Sequence, residues 1–184
     1  MGKIVLELQK NAIDPNIDTV TLLRQAYVIA KKLNLTEFEQ WVTQELNGYE
    51  LNAEIPDYRK LSGELKAFNP YRGWIPIIID ISKAQEILSN YRVKESISHL
   101  MSVLSAGKGV IVPFPVDVLI QMGFRVDPTI SQYSLFLNEH SVESIVETVK
   151  NTLLDWSLML EQNGILGEGL VFSEEEKSKL NNLV

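Results

Sequence analysis

The sequence predicts an α+β fold, predominantly helical with a small β-sheet. Three observations carry this. Apolar residues recur at steps of three and four through most of the chain, above all between Val142 and Leu160. The pattern breaks over residues 49–81, where Pro56, Pro70, Pro76, Gly63 and Gly73 punctuate a partly alternating stretch and a β-branched run. Hydrophobic residues make up 45% and charged residues 22% of 184, a balance that supports a packed core and excludes a disordered chain.

The elements follow in order. Ile4, Val5, Leu6 and Leu8 suggest a short helix or an arm, broken over Asn11–Asn16 by Pro15. Asp18 reads as the N-cap of a helix striped by Val20, Leu23, Tyr27 and Ala30 and stopped at Asn34. Thr36 and Glu39 have capping-box spacing, in which hydroxyl and carboxylate satisfy each other's backbone donors. Phe38, Trp41, Val42 and Leu46 then share one face up to Asn47-Gly48. The short connection makes these two helices an antiparallel hairpin. Residues 61–68 and 77–79 are expected as strands around a Pro/Gly-bearing loop, and Ser82 with Gln85 opens a helix to about Ser89.

Val93, Ile97, Leu100, Met101 and Leu104 define another helix, ended by Gly107-Lys108-Gly109. Val110–Val112 reads as extended. Pro115 opens a short helix carrying Val118, Leu119 and Met122, ended by Gly123, and residues 130–137 are a further strand candidate. The longest helix is expected to begin after Ser141 and to run to Asn163-Gly164, spanning roughly 33 Å at 1.5 Å per residue. A last capping box, Ser173 with Glu176, starts a terminal helix bearing Leu180 and Leu183.

The composition also limits the chemistry. The sequence has no cysteine, so disulfides, thiolate metal sites and a cysteine nucleophile are excluded. Its only histidines are His99 and His140, too few for a multi-histidine zinc site in one chain. The net charge is −7, and nine of the acidic residues fall after Leu137 against three lysines. Nucleic acid is therefore a disfavoured partner. No apolar run approaches the roughly 18 residues of a bilayer span, so no membrane role is expected and a cytoplasmic location is the default.

No motif commits the chain to catalysis. Gly107-Lys108-Gly109 lacks the spacing and following hydroxyl of a phosphate loop and reads as a helix stop, with an anion-binding nest as the sharper alternative. His99 is expected at a helix boundary, and His140 stands beside a helix N-terminus with only Glu139 for company. Asp155 lies between Leu154 and Trp156 in an apolar helix, and would need a donor such as Arg59, Arg92 or Arg125 if it were buried. Trp74, with Tyr71 and Arg72, belongs to a loop and is either a partner anchor or an indole folded over the sheet edge. No cofactor and no metal site are expected.

Two stretches together resemble a known family. One is Glu45-Leu46-Asn47-Gly48-Tyr49 followed by Pro56-Asp57-Tyr58-Arg59. The other is Leu153-Leu154-Asp155-Trp156-Ser157-Leu158-Met159-Leu160-Glu161 followed by Gly164-Ile165-Leu166-Gly167-Glu168-Gly169. Their order and spacing, with the hairpin that begins Thr21-Leu22-Leu23-Arg24, resemble the bacterial abortive-infection domain AbiTii over residues 18–172. The chain then divides into an N-terminal arm or short helix (1–17), the AbiTii-like domain (18–172) and a C-terminal helix (173–184).

The resemblance implies antiphage defence but supplies no catalytic mechanism. The leading expectation is a non-enzymatic sensor or protein-interaction module, with a protein partner or effector in trans or a second copy of itself. The alternatives are a nucleotide- or RNA-directed enzyme or toxin, and a small nucleotide-signal-binding module. The candidate binding or clamp residues are Glu45, Asn47, Tyr49, Asp57, Tyr58, Arg59, Trp74 and Asp155. Arg59 is expected to close on Glu45 or Asp155 as a loop clamp, or else to join Tyr58 in a recognition surface.

Overall fold

The computed structural model describes residues 2–77, 91–107, 109–121, 123 and 125–180. In chain order the described helices are α1 (Ile4–Ile13), α2 (Thr19–Leu33), α3 (Thr36–Asn47), α4 (Ile97–Ser105), α5 (Val116–Gln121), α6 (Glu139–Gln162) and α7 (Glu174–Leu180). The described strands are β1 (Lys60–Leu61), β2 (Gly63–Asn69), β3 (Gly73–Pro76), β4 (Tyr91–Arg92), β5 (Val110–Pro113) and β6 (Gln132–Leu137). The α+β class with helix predominant is thus observed. The chain forms two compact units, one of Met1–Leu51, Glu95–His99 and Val146–Val184, the other of Asn52–Lys94 and Leu100–Ile145.

The first unit is helical. Asp18 caps α2 as expected, its carboxylate accepting from the Thr21 N–H at 2.9 Å and from the Thr21 hydroxyl at 2.8 Å. Those bonds hold its carboxyl below the usual range. Asn34 ends the helix in the left-handed conformation at φ 57°. Leu22, Leu23, Ala26, Ile29 and Ala30 are fully buried, and α2 packs on both α1 and α3. Phe38 stacks on Trp156 at 3.9 Å between ring centres. Gln9 donates to the Ser157 carbonyl at 3.1 Å and to Glu161 at 3.0 Å, fastening α1 to the end of α6.

The last capping box forms and does more than cap. Glu176 accepts from the Ser173 N–H and hydroxyl, at 2.8 and 3.1 Å, while Ser173 Oγ accepts from the Glu176 N–H at 3.2 Å. Its other oxygen accepts from the N–H groups of Leu166 and Gly167, at 2.9 and 2.8 Å. One carboxylate thus ties α7 to the segment after α6. Partial burial opposes ionisation there, but the amides of Ser173, Gly167 and Leu166 outweigh it and lower the pKa from 4.5 to about 2.

A carboxyl with a depressed folded-state pKa contributes stability above its unfolded value and loses it as pH falls toward the folded value. Glu176→Gln should therefore cost about 2 kcal/mol near neutral pH, after allowance for solvent screening. Urea denaturation should show the gap to wild type constant above about pH 5 and closing between 4.5 and about 2. A gap independent of pH would count against this origin.

The second unit holds the sheets. β1 and β4 pair antiparallel, Lys60 opposite Arg92 and Leu61 opposite Tyr91. The other four strands form one antiparallel sheet in the order β3-β2-β6-β5. Leu65, Ala67, Tyr133, Leu135 and Leu137 are buried on one face, as a period of two requires. Gly63 leaves room for Leu135, since a Cβ there would stand 2.5 Å from its Cγ. On the other face Pro76, Lys66, Ser134 and Pro113 form one row across all four strands. The Ile77 N–H donates to the Leu65 carbonyl and the Phe114 N–H to the Tyr133 carbonyl. By alternation, the backbone nitrogens of Trp74 and Pro76 in β3, and of Ile111 and Pro113 in β5, point away from the neighbouring strand.

Several boundaries differ from the sequence reading. Thr36 and Glu39 do not form a capping box. The Glu39 N–H donates to the Leu35 carbonyl and its carboxylate takes Lys31, so Leu35 is the uncapped first position. Val93 lies outside the helix, which begins at Ile97, and its N–H instead donates to the Arg59 carbonyl beside the β1–β4 pair. α6 starts at Glu139, since the Asn138 side chain accepts from the His140 N–H at 2.9 Å. α1 continues through Asn11 to Ile13. The expected strand at Ile78-Ile79, the helix Ser82–Ser89, Lys108, Met122 and Leu183 lie outside the described residues.

Candidate functional site

The residues singled out by sequence fall into three groups. In the first unit, Glu45 is fully buried on α3 and accepts a hydrogen bond from the Tyr49 hydroxyl at 2.5 Å. Tyr49 is itself buried, and Gly48 between them turns the chain at φ 91°. Asn47 is exposed. Asp155 is exposed on α6, so the burial that would have demanded a cationic partner does not arise.

In the second unit, Pro56 leads into the single 3₁₀ turn Asp57–Arg59. Asp57 is exposed and bound to Lys60, whose hydrogen bond and charge hold its carboxyl below the usual range. Tyr58 is half-buried. Arg59 is fully buried, its Nη1 donating to the Val93 carbonyl at 3.1 Å. Its backbone joins the same fastening: its N–H donates to Pro56 at 3.0 Å and its carbonyl accepts from Val93 at 2.9 Å. Arg59 and Val93 thus bring the turn and the β4 end together.

The third group is the β2–β3 hairpin. Trp74 belongs to strand β3 rather than to the preceding loop. Its ring meets Phe68, its cross-strand partner, at 5.2 Å, and reaches Phe136 at 4.9 Å, both edge-on. Lys66 lies over the Phe136 ring at 4.7 Å and pairs with Glu64 at 3.1 Å. The indole therefore folds over the sheet face. At the tip, the Asn69 carboxamide accepts from the N–H groups of Tyr71 and Arg72, at 2.9 and 3.2 Å. This fixes the turn and leaves Tyr71 95% exposed beside the exposed Arg72.

The remaining chemistry-bearing residues do not converge. His140 is exposed, with Nδ1 3.0 Å from Glu143, and His99 is exposed on α4. Gly109 follows the helix stop and donates its N–H to Glu139 at 2.9 Å, so a carboxylate of this chain already sits on that amide. Among the described residues no three His, Asp or Glu side chains are grouped as metal ligands, and no helix is long and apolar enough to cross a membrane. On the hairpin's other face lies a hollow of about 210 Å³, which sequence reasoning missed because it is made by what Ala67 lacks. Ala67 stands between Ile75 and Tyr133 in the register, and its methyl leaves the floor low.

Comparison with known proteins gives one match. No curated protein and no solved structure matches the chain. The AbiTii family model matches residues 3–184, essentially the whole sequence, including the arm and the terminal helix as well as the stretches quoted above. The chain belongs to the AbiTii family, and that membership suggests a role in abortive-infection defence.

Proposed function

We propose that this protein is a non-enzymatic sensor or protein-interaction module of an abortive-infection system, and that it meets its protein partner through the β2–β3 hairpin. The observation that supports this is the tip itself, where Tyr71 and Arg72 stand exposed on a turn fixed by Asn69. Aromatic and Arg side chains on a rigid support lose little entropy on docking and dominate binding energy at interfaces. The edge-on contacts of Trp74 with Phe68 and Phe136 stiffen the support from one side. In this reading the buried Arg59 and the Glu45–Tyr49 pair are structural fastenings.

The double variant Tyr71→Ala/Arg72→Ala removes two exposed side chains and should fold as wild type. If each is a binding hot spot worth about 2 kcal/mol, affinity for the partner falls about thirtyfold for either change alone and on the order of a thousandfold for both if the two add. Phage protection should fall with it. A double variant that keeps full protection and still captures the wild-type partner would exclude the hairpin as the contact.

A further inference from the structure

We infer that the hollow of the second unit binds a small amphiphilic anion, apolar body inward and carboxylate at Arg125. Its floor is the sheet, low at Ala67 between Ile75 and Tyr133, and its wall includes Leu119 of α5. About 210 Å³ is less than the roughly 300 Å³ at which pockets for drug-sized ligands begin, so the occupant is compact. A bound water needs two to four polar partners, and this lining offers few. The polar groups are Arg125, Asp127 and the Tyr133 hydroxyl.

Two of these three are already engaged. The Asp127 carboxylate accepts from the Thr129 N–H and hydroxyl, both at 2.8 Å, and the Tyr133 hydroxyl accepts from the Asp127 N–H at 3.4 Å. Arg125 is exposed and makes no ion pair among the described residues. An unengaged guanidinium above an apolar hollow matches a carboxylate, which it holds through two parallel hydrogen bonds. A medium-chain carboxylic acid joins both features in one molecule.

The test uses the whole protein with octanoate, and with 1-octanol as its uncharged counterpart, in calorimetric titrations and thermal denaturation. Octanoate should bind saturably and raise the melting temperature, with 1-octanol about tenfold weaker. Arg125→Ala should weaken octanoate about tenfold and leave 1-octanol unchanged, while Ala67→Leu should abolish both by filling the floor. If Ala67→Leu fails to fold, the Arg125→Ala comparison decides. The inference is overturned if octanoate does not bind saturably, if 1-octanol binds equally well, or if Arg125→Ala leaves octanoate affinity intact. None of these outcomes bears on Tyr71 or Arg72, so the hairpin reading stands or falls separately.

Discussion

Arg59→Met is expected to cost about 3 kcal/mol of unfolding free energy. For a chain of this size that lowers the melting temperature by on the order of 10 °C. Among the described residues Arg59 is the largest fully buried side chain, and the Val93 carbonyl is one of its partners. A guanidinium stays charged at any accessible pH, so its burial is tolerable only while its acceptors are in place. Methionine keeps most of the stem's volume and loses the donors, which isolates the polar contribution. Arg59→Ala removes the stem as well and should cost about 2 kcal/mol more, through the cavity it leaves. Urea denaturation of both variants measures the two parts. A Met variant as stable as wild type would mean that Arg59 serves only as filling.

Gly167→Ala is expected to cost about 3 kcal/mol through two separate causes. Gly167 has φ +63°, where an L side chain costs roughly 1–2 kcal/mol. A Cβ there would also stand 2.8 and 2.9 Å from the Phe172 ring and 3.0 Å from Ile4. Phe172 and Ile4 are buried, so neither yields freely, and overpacking of this kind costs roughly 1–3 kcal/mol. A backbone shift that relieved the clash would also pull the Gly167 N–H away from Glu176, to which it donates at 2.8 Å. Gly167→Ala combined with Glu176→Gln should therefore cost less than the sum of the two single changes. Strict additivity in that cycle would show that the clash and the carboxylate contacts are independent.

The parts legible in the sequence were those set by local chemistry. Asp18, Asn34 and the Ser173–Glu176 box mark helix ends because their bonds reach only a few residues along the chain. The strands at 110–113 and 130–137 were legible as candidates, and the sheet that joins them to β2 and β3 agrees. Glu39 misled because its spacing from Thr36 was right while a lysine eight residues earlier took its carboxylate. Val93 misled because it continues an apolar helical stripe, yet its backbone is claimed by Arg59, 34 residues away. Tertiary hydrogen bonds of that kind leave no local trace.

The candidate site was less legible than the fold. Tyr71, Arg72 and Trp74 stood out by residue type, but only the register shows that the indole lies across the sheet while the tyrosine stands clear. Ala67 carried no signal at all, and Arg125 stood out only as a possible partner for Asp155. A hollow is a deficit of atoms over a sheet, and an alanine in a strand is unremarkable until its two cross-strand neighbours are known.

The row that runs from Pro76 to Pro113 has a consequence for assembly. Each outer rail of the four-stranded sheet lacks an N–H at one of the places where an incoming strand would seek it. A strand added along β3 or β5 would forgo a backbone hydrogen bond at Pro76 or Pro113, which disfavours pairing in unbroken register. What these rails leave open to a neighbour is then the broad face of the sheet and the turn between β2 and β3, where side chains rather than backbone amides are on offer.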